Sequence, residues 1–130
     1  MKLTTTIIAA LYFAVCAIPA FAGNVVAITN KSLTIDKGDI GKVYRGELSD
    51  FKAFDLPESD ASRAAFADAY TGKSAAALKK IQNLNVFAGR SLPPKVVDSA
   101  GDMVKAVSST PNGVGYVPES AADGSVRVVK

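Results

Sequence analysis

Hydrophobic and polar positions follow two different periods along the chain from residue 24 onward. Short apolar runs between turn residues are typical of buried strands, and they occur around Val25, Phe54 and Val117. Between these runs, apolar residues recur every three or four positions, which is the spacing of one helical face. The predicted strands are 24–28, 52–56, 95–98, 113–117 and 125–129.

Residues that start or stop helices mark four predicted helices between these strands. Ile40, Val43 and Tyr44 share one face of the first helix, and Phe66 and Tyr70 share one face of the second. The predicted N-caps are Asp36, Ser74 and Ser99, and the predicted stops are Gly46, Gly72 and Pro111.

The order of the elements predicts the fold class. Because strands alternate with helices, we expect an α/β domain whose mixed, mostly parallel sheet is flanked by helices. Asn112 and Gly113 are predicted to form a turn with positive φ before the strand 113–117.

The first 22 residues have the pattern of a secretory signal peptide. Lys2 precedes an apolar run over 7–20, and the small residues at 20 and 22 fit a cleavage site after Ala22. The run is shorter than the roughly 20 apolar residues that span a membrane, although an uncleaved anchor is the alternative interpretation. Cys16 follows Val15 where a lipoprotein signal needs a small residue, so no lipid anchor is expected. We therefore predict a single periplasmic domain over 23–130.

The amino-acid composition argues against several classes of function. The formal charge is +3, and loss of residues 1–22 would remove Lys2 and the single cysteine but no acid. A small charge that is spread along the chain lacks the basic patch of a nucleic-acid-binding protein. The chain has no histidine, so Ser-His and Cys-His pairs and typical zinc sites are absent from the sequence. We expect a binding protein, not an enzyme, without a metal or cofactor.

One loop carries the candidate chemistry. The segment Ser59-Asp60-Ala61-Ser62-Arg63 lies between a predicted strand and a predicted helix, where ligands bind in open α/β sheets. Ser59, Ser62 and the backbone of 61–63 are predicted to donate hydrogen bonds to an oxyanion, and Arg63 to add positive charge. The alternative is that Ser59, Asp60 or Ser62 caps the helix without any ligand.

Four motifs in the right order resemble the phosphate-binding components of ABC transporters, a family of periplasmic solute-binding proteins. They are the Thr-Pro-Asn-Gly-Val-Gly-Tyr-Val ending within 108–118, the aromatic-x-Gly helix end within 40–46 followed by Phe51, the strand-loop-helix block 55–66, and Phe-Ala-Gly with Pro-Pro-Lys-Val-Val within 87–97. The resemblance covers about residues 24–118. It implies a single lobe of a type II periplasmic binding protein, three-layer-like, without the other lobe.

The resemblance also implies a function and a site. It indicates a periplasmic solute-binding module for phosphate or another small oxyanion, with Ser59–Arg63 and Asp55 at the site and a membrane permease as partner. The chain departs from the family pattern, since Asp55 stands in place of an arginine, Pro57 in place of an aspartate and Asp60 in place of a glycine. A carboxylate repels an anion, so the alternative is a protein-interaction or sensory lobe that docks on a membrane receptor or transporter with no ligand of its own. Ligand identity and oligomeric state stay open.

Overall fold

The computed structural model describes residues 24–129. The predicted signal peptide, residues 1–22 with cleavage after Ala22, lies outside the described residues. In chain order the elements are β1 (Val25–Asn30), α1 (Lys37–Tyr44), β2 (Lys52–Asp55), α2 (Ala61–Phe66) with a π-helical continuation (Ala67–Thr71), α3 (Ala75–Phe87), β3 (Lys95–Val96), α4 (Ala100–Ser109), β4 (Gly113–Pro118), a 3₁₀ turn (Glu119–Ala121) and β5 (Val126–Val129).

The five strands form one sheet in the order β3-β2-β4-β1-β5. β2 pairs in parallel with both β3 and β4, whereas β1 pairs antiparallel with β4 and with β5. Four strands therefore point the same way and β1 alone runs against them. This mixed, mostly parallel sheet with helices between its strands confirms the predicted α/β fold class.

Local signals for the helix ends are largely confirmed. The hydroxyl oxygens of Ser74 and Ser99 accept from backbone nitrogens in the first turns of α3 and α4, each at 3.1 Å. Gly46 and Gly72 have φ of 80° and 70°, the left-handed conformation that ends a helix. Asp36 is the N-cap of α1, but its side chain makes no capping hydrogen bond and its carbonyl oxygen accepts the first helical bonds instead.

The predicted conformation of Gly113 is wrong. The positive-φ glycines within 24–129 are Gly46, Gly72 and Gly89, and Gly113 is the first residue of β4. A Cβ at Gly113 would lie 3.0 Å from the Thr110 carbonyl oxygen. The glycine is therefore needed because the end of α4 passes close to the start of β4, and not because of a left-handed turn.

The core lies between the sheet and the helices and is centred on stacked aromatic rings. Phe66 of α2 stacks on Tyr116 of β4 with ring centroids 4.1 Å apart, and Tyr44 of α1 meets Phe66 edge to face at 4.7 Å. All three side chains are buried. Within 24–129, every helix is too short or too polar to cross a membrane.

Candidate functional site

The predicted loop connects the end of β2 to the start of α2. Asp60 is the N-cap of α2, and its Oδ1 accepts from the Ser62 backbone nitrogen at 2.8 Å. Ser59 and Ala61 are exposed, and the Arg63 nitrogen donates to the Asp60 carbonyl oxygen at 3.0 Å. Two of the backbone donors that were predicted to face an anion are thus used inside the helix turn.

Arg63 points back into the protein. Its Nη1 donates to the Leu56 carbonyl oxygen at 3.0 Å, and its Nη2 lies 3.4 Å from Oδ2 of Asp55. Only 14% of the Arg63 side chain is exposed. The positive charge is therefore balanced by a carboxylate of the same chain.

Asp55 ends β2 and is almost completely buried, with 3% of its surface exposed. Its Oδ1 accepts from the Leu56 backbone nitrogen at 3.1 Å and from the hydroxyl of Tyr116. Burial raises the pKa of the Asp55 carboxyl, while the Tyr116 hydrogen bond and the Arg63 charge act in the opposite direction. Tyr116 takes part in this network although its role was not predicted from the sequence.

The structure thus brings Asp55 and Arg63 into contact and links Asp60 to Ser62, and it leaves Ser59 and Ala61 at the surface. An anion placed at this loop would lie beside the Asp55 carboxylate, and the cation that could attract it is already paired. Anion binding by Ser59–Arg63 stays a prediction.

A second feature lies at the opposite end of β2. A cavity of about 550 Å³ opens there, between the C-terminal ends of α1 and α3 and the segment 89–95. Because β2 is four residues long, the two ends of the strand are about 10 Å apart. Cavities of this size are typical of small-molecule sites.

Three cations and no carboxylate line the cavity. Lys52 is the first residue of β2, Lys95 is the first residue of β3, and Arg90 follows the end of α3. None of the three forms an ion pair with another residue in 24–129, whereas Arg45, Arg63, Lys42 and Lys79 each face an acid. This group was not predicted from the sequence because its members are far apart in the chain.

The floor of the cavity is formed by buried residues of α1 and α3. The side-chain nitrogen of Gln82 donates to the Tyr44 carbonyl oxygen at 3.0 Å, and both residues line the cavity. Asn85 donates in the same way to the Arg45 carbonyl oxygen at 2.8 Å. These two amides hold the end of α1 against α3 and fix the shape of the floor.

Large apolar side chains are exposed at the end of α3 and in the segment after it, and one of them, Leu92, lines the cavity. Phe87 is 92% exposed and Leu92 is 88% exposed, and Leu84 and Val96 are also largely in contact with solvent. All four lie within 84–96, the stretch that includes the end of α3 and β3. Grouped exposed apolar residues often mark an interaction site.

The fold resembles solved structures of phosphate-binding transport proteins. The alignment with an ABC-type phosphate transport receptor from Vibrio cholerae covers 83% of this chain and 46% of the receptor, with a TM-score of 0.63 and 15% identity. A second structure, from Clostridium perfringens, is described as a phosphate ABC transporter substrate-binding protein with bound phosphate. The alignment covers 83% of this chain and 44% of that protein, with a TM-score of 0.64 and 18% identity. The alignment with PstS from Borrelia burgdorferi covers 83% of this chain and 47% of that protein, with a TM-score of 0.58 and 15% identity.

This likeness is one of fold. No protein-family model matches the sequence, and no curated protein matches it. The chain spans less than half the length of the solved structures it resembles. The predicted architecture, a lobe of a periplasmic binding protein, agrees with this comparison.

Proposed function

We propose that this chain is a non-catalytic, periplasmic binding module for a small anionic solute, and that it works with a membrane permease. The fold supports a transport role because two of the solved structures that it resembles are described as a phosphate transport receptor and a phosphate ABC transporter substrate-binding protein. The observation that carries the proposal is the cavity with Lys52, Arg90 and Lys95 on its lining and no acidic residue.

The contacts favour the cavity over the predicted loop as the place where the anion binds. At the loop, Arg63 is paired with Asp55, and Asp60 adds a second carboxylate beside α2. At the cavity, three cations have no acidic partner among the described residues. An anion therefore gains attraction at the cavity and meets repulsion at the loop.

Calorimetric titration of the purified protein with a panel of anions tests this proposal. The panel contains phosphate, sulfate, acetate and longer carboxylates, and each titration is repeated with the double variant Arg90→Gln, Lys95→Gln. We expect at least one anion to bind and the double variant to weaken that binding. If the affinity depends on Arg63 and is unchanged in the double variant, the Ser59–Arg63 loop is the site instead.

A protein-interaction lobe is the second candidate, and the exposed side chains of Phe87 and Leu92 favour it. A photo-reactive residue at position 87 would label a docked permease or sensor in cells, whereas one at position 105, on exposed α4 surface, would not. An adduct with an identified membrane protein, together with flat anion titrations, would favour this function. Absence of a specific adduct at position 87 would argue against it.

A further inference from the structure

We propose that the cavity takes an organic anion with an apolar body, such as a medium-chain carboxylate, and not an inorganic oxyanion. The proposal rests on the proposed function, because it assigns a ligand class to the same cavity.

The walls are largely apolar. The side chains that form them come from the loop after α1, from α3 and from the segment before β3, and they are Leu48, Phe51, Val86, Leu92, Pro93 and Pro94. An inorganic oxyanion would lose water against such walls without gaining hydrogen bonds, which costs free energy. A hydrocarbon chain gains free energy from the same contacts.

Three of the backbone nitrogens around the cavity are already used. The Gly46 nitrogen donates to the Val43 carbonyl oxygen at 3.1 Å, and the Gly89 nitrogen donates to the Val86 carbonyl oxygen at 3.0 Å. The Arg90 nitrogen donates to Asn85 in the same turn, at 2.8 Å. The cavity therefore lacks, among these residues, the cradle of free N–H groups that proteins use for phosphate.

Both flanking helices point their C-terminal ends at the cavity, and carbonyl groups at such ends normally repel anions. At the end of α1, however, the Tyr44 and Arg45 carbonyl oxygens accept from Gln82 and Asn85. At the end of α3, the Val86 carbonyl oxygen accepts from Gly89. These hydrogen bonds reduce the repulsion, so the cavity offers a neutral, largely apolar interior.

The cations stand at the mouth, since Lys52, Arg90 and Lys95 are all exposed. Lys52 and Lys95 begin the paired strands β2 and β3, and both line the cavity. A ligand with its carboxylate at the mouth and its hydrocarbon chain inside satisfies both regions of the cavity.

A chain-length series tests the ligand class. The purified protein is titrated with acetate, butanoate, hexanoate and octanoate, with phosphate and with the neutral analogue 1-octanol. We expect the affinity to rise about two- to fourfold for each added methylene, because each buried methylene contributes favourably. We expect octanoate to bind more tightly than 1-octanol, and added salt to reduce that difference.

Matched variants locate the binding. Arg90→Gln with Lys95→Gln should weaken octanoate about fivefold and leave 1-octanol unchanged. Lys80→Gln with Lys105→Gln removes two exposed cations away from the cavity and should change neither. Leu92→Ser, at an exposed wall position that should tolerate the change, is expected to weaken octanoate and not acetate.

The outcomes separate the ligand class from the proposed function. If phosphate binds and chain length has no effect, the anion-binding function stands and the organic ligand class is wrong. If no anion binds, both proposals fail. If sedimentation shows a dimer that octanoate does not dissociate and that Leu92→Ser does, a second copy covers the cavity and the ligand proposal is overturned.

Discussion

The hydroxyl of Tyr116 donates a hydrogen bond to the carboxylate of Asp55 inside the core, 61 residues away along the chain. The Tyr116 oxygen also accepts from the Leu56 backbone nitrogen at 3.0 Å. With Arg63 on its other oxygen, the Asp55 carboxylate has a charged or polar partner on each side. Asp55 is thus part of the fold, and it supplies the negative charge that Arg63 faces.

The raised pKa of Asp55 predicts a specific dependence of stability on pH. A carboxyl whose pKa is raised in the folded state binds its proton more tightly there than in the unfolded chain. Its contribution to stability is therefore full below the unfolded pKa of about 3.9 and is lost as the pH rises through the folded pKa. The unfolding free energy of the wild type minus that of Asp55→Asn should fall as the pH rises.

Urea denaturation of both proteins at a series of pH values measures this difference, and Asp98→Asn, in an exposed turn, controls for the loss of one charge. The lowered pKa values of Glu47, Glu58 and Asp123 act in both proteins and cancel in the difference. A difference that grows with pH would mean that hydrogen bonding outweighs burial at Asp55.

Removing the Tyr116 hydroxyl should destabilise the protein. Tyr116→Phe leaves the buried Asp55 carboxylate and the Leu56 nitrogen with one partner fewer, which costs about 1 to 3 kcal/mol. Tyr70→Phe is the matched control, because the Tyr70 hydroxyl accepts a single bond from the Ala27 nitrogen at 3.2 Å and is not in contact with a carboxylate. Equal losses of unfolding free energy in the two variants would contradict a special role for the Asp55 contact.

Gly115, the glycine of the Val-Gly-Tyr-Val segment, is predicted to be required by packing. A Cβ at Gly115 would lie 2.5 Å from the Met103 sulfur and 2.8 Å from a methyl carbon of Val107. Gly115→Ala should therefore lower the unfolding free energy by about 1 to 3 kcal/mol. Gly38→Ala, where a Cβ meets nothing within 4 Å, should instead raise it by up to about 1 kcal/mol, because alanine favours the helix. Thermal denaturation of both variants tests whether the two changes in unfolding free energy have opposite signs.

Substitutions at Asp60 and Ser59 test whether the loop stabilises the fold by capping α2. Asp60→Ala removes the acceptor for the Ser62 nitrogen and should cost about 1 kcal/mol of unfolding free energy. Ser59→Ala, at an exposed position, should change it by less than about 0.5 kcal/mol. Denaturant titration of the two variants measures these losses of unfolding free energy. A larger loss for Ser59→Ala would mean that Ser59 is the cap in solution.

Local features of the fold could be predicted because each depends on a few neighbouring residues. The Ser74 and Ser99 caps and the helix end at Gly46 have such signals, and the structure confirms them. The strand predicted over 95–98 is shorter in the structure, because β3 pairs only with the last two residues of β2. The position of β4 between β2 and β1 depends on long-range pairing, which no local pattern encodes.

The candidate site could be predicted only in part. The sequence placed Asp55 and Arg63 near one loop, but it did not indicate that Tyr116 would contact Asp55 from another strand. The cavity could not be predicted, because Lys52, Arg90 and Lys95 come together only when β2, α3 and β3 pack. Their separate positions in the sequence resemble ordinary surface charges.

The central claim is that an anion binds at the cavity and not at the Ser59–Arg63 loop, and amide NMR shifts of the labelled protein test it most directly. Titration with octanoate should shift the amide signals of Gly46, Gly89, Arg90 and Lys95, which line the cavity. The signals of 59–63 should stay unchanged. Saturable shifts at 59–63 with unchanged signals at the cavity would contradict the claim and return the site to the loop.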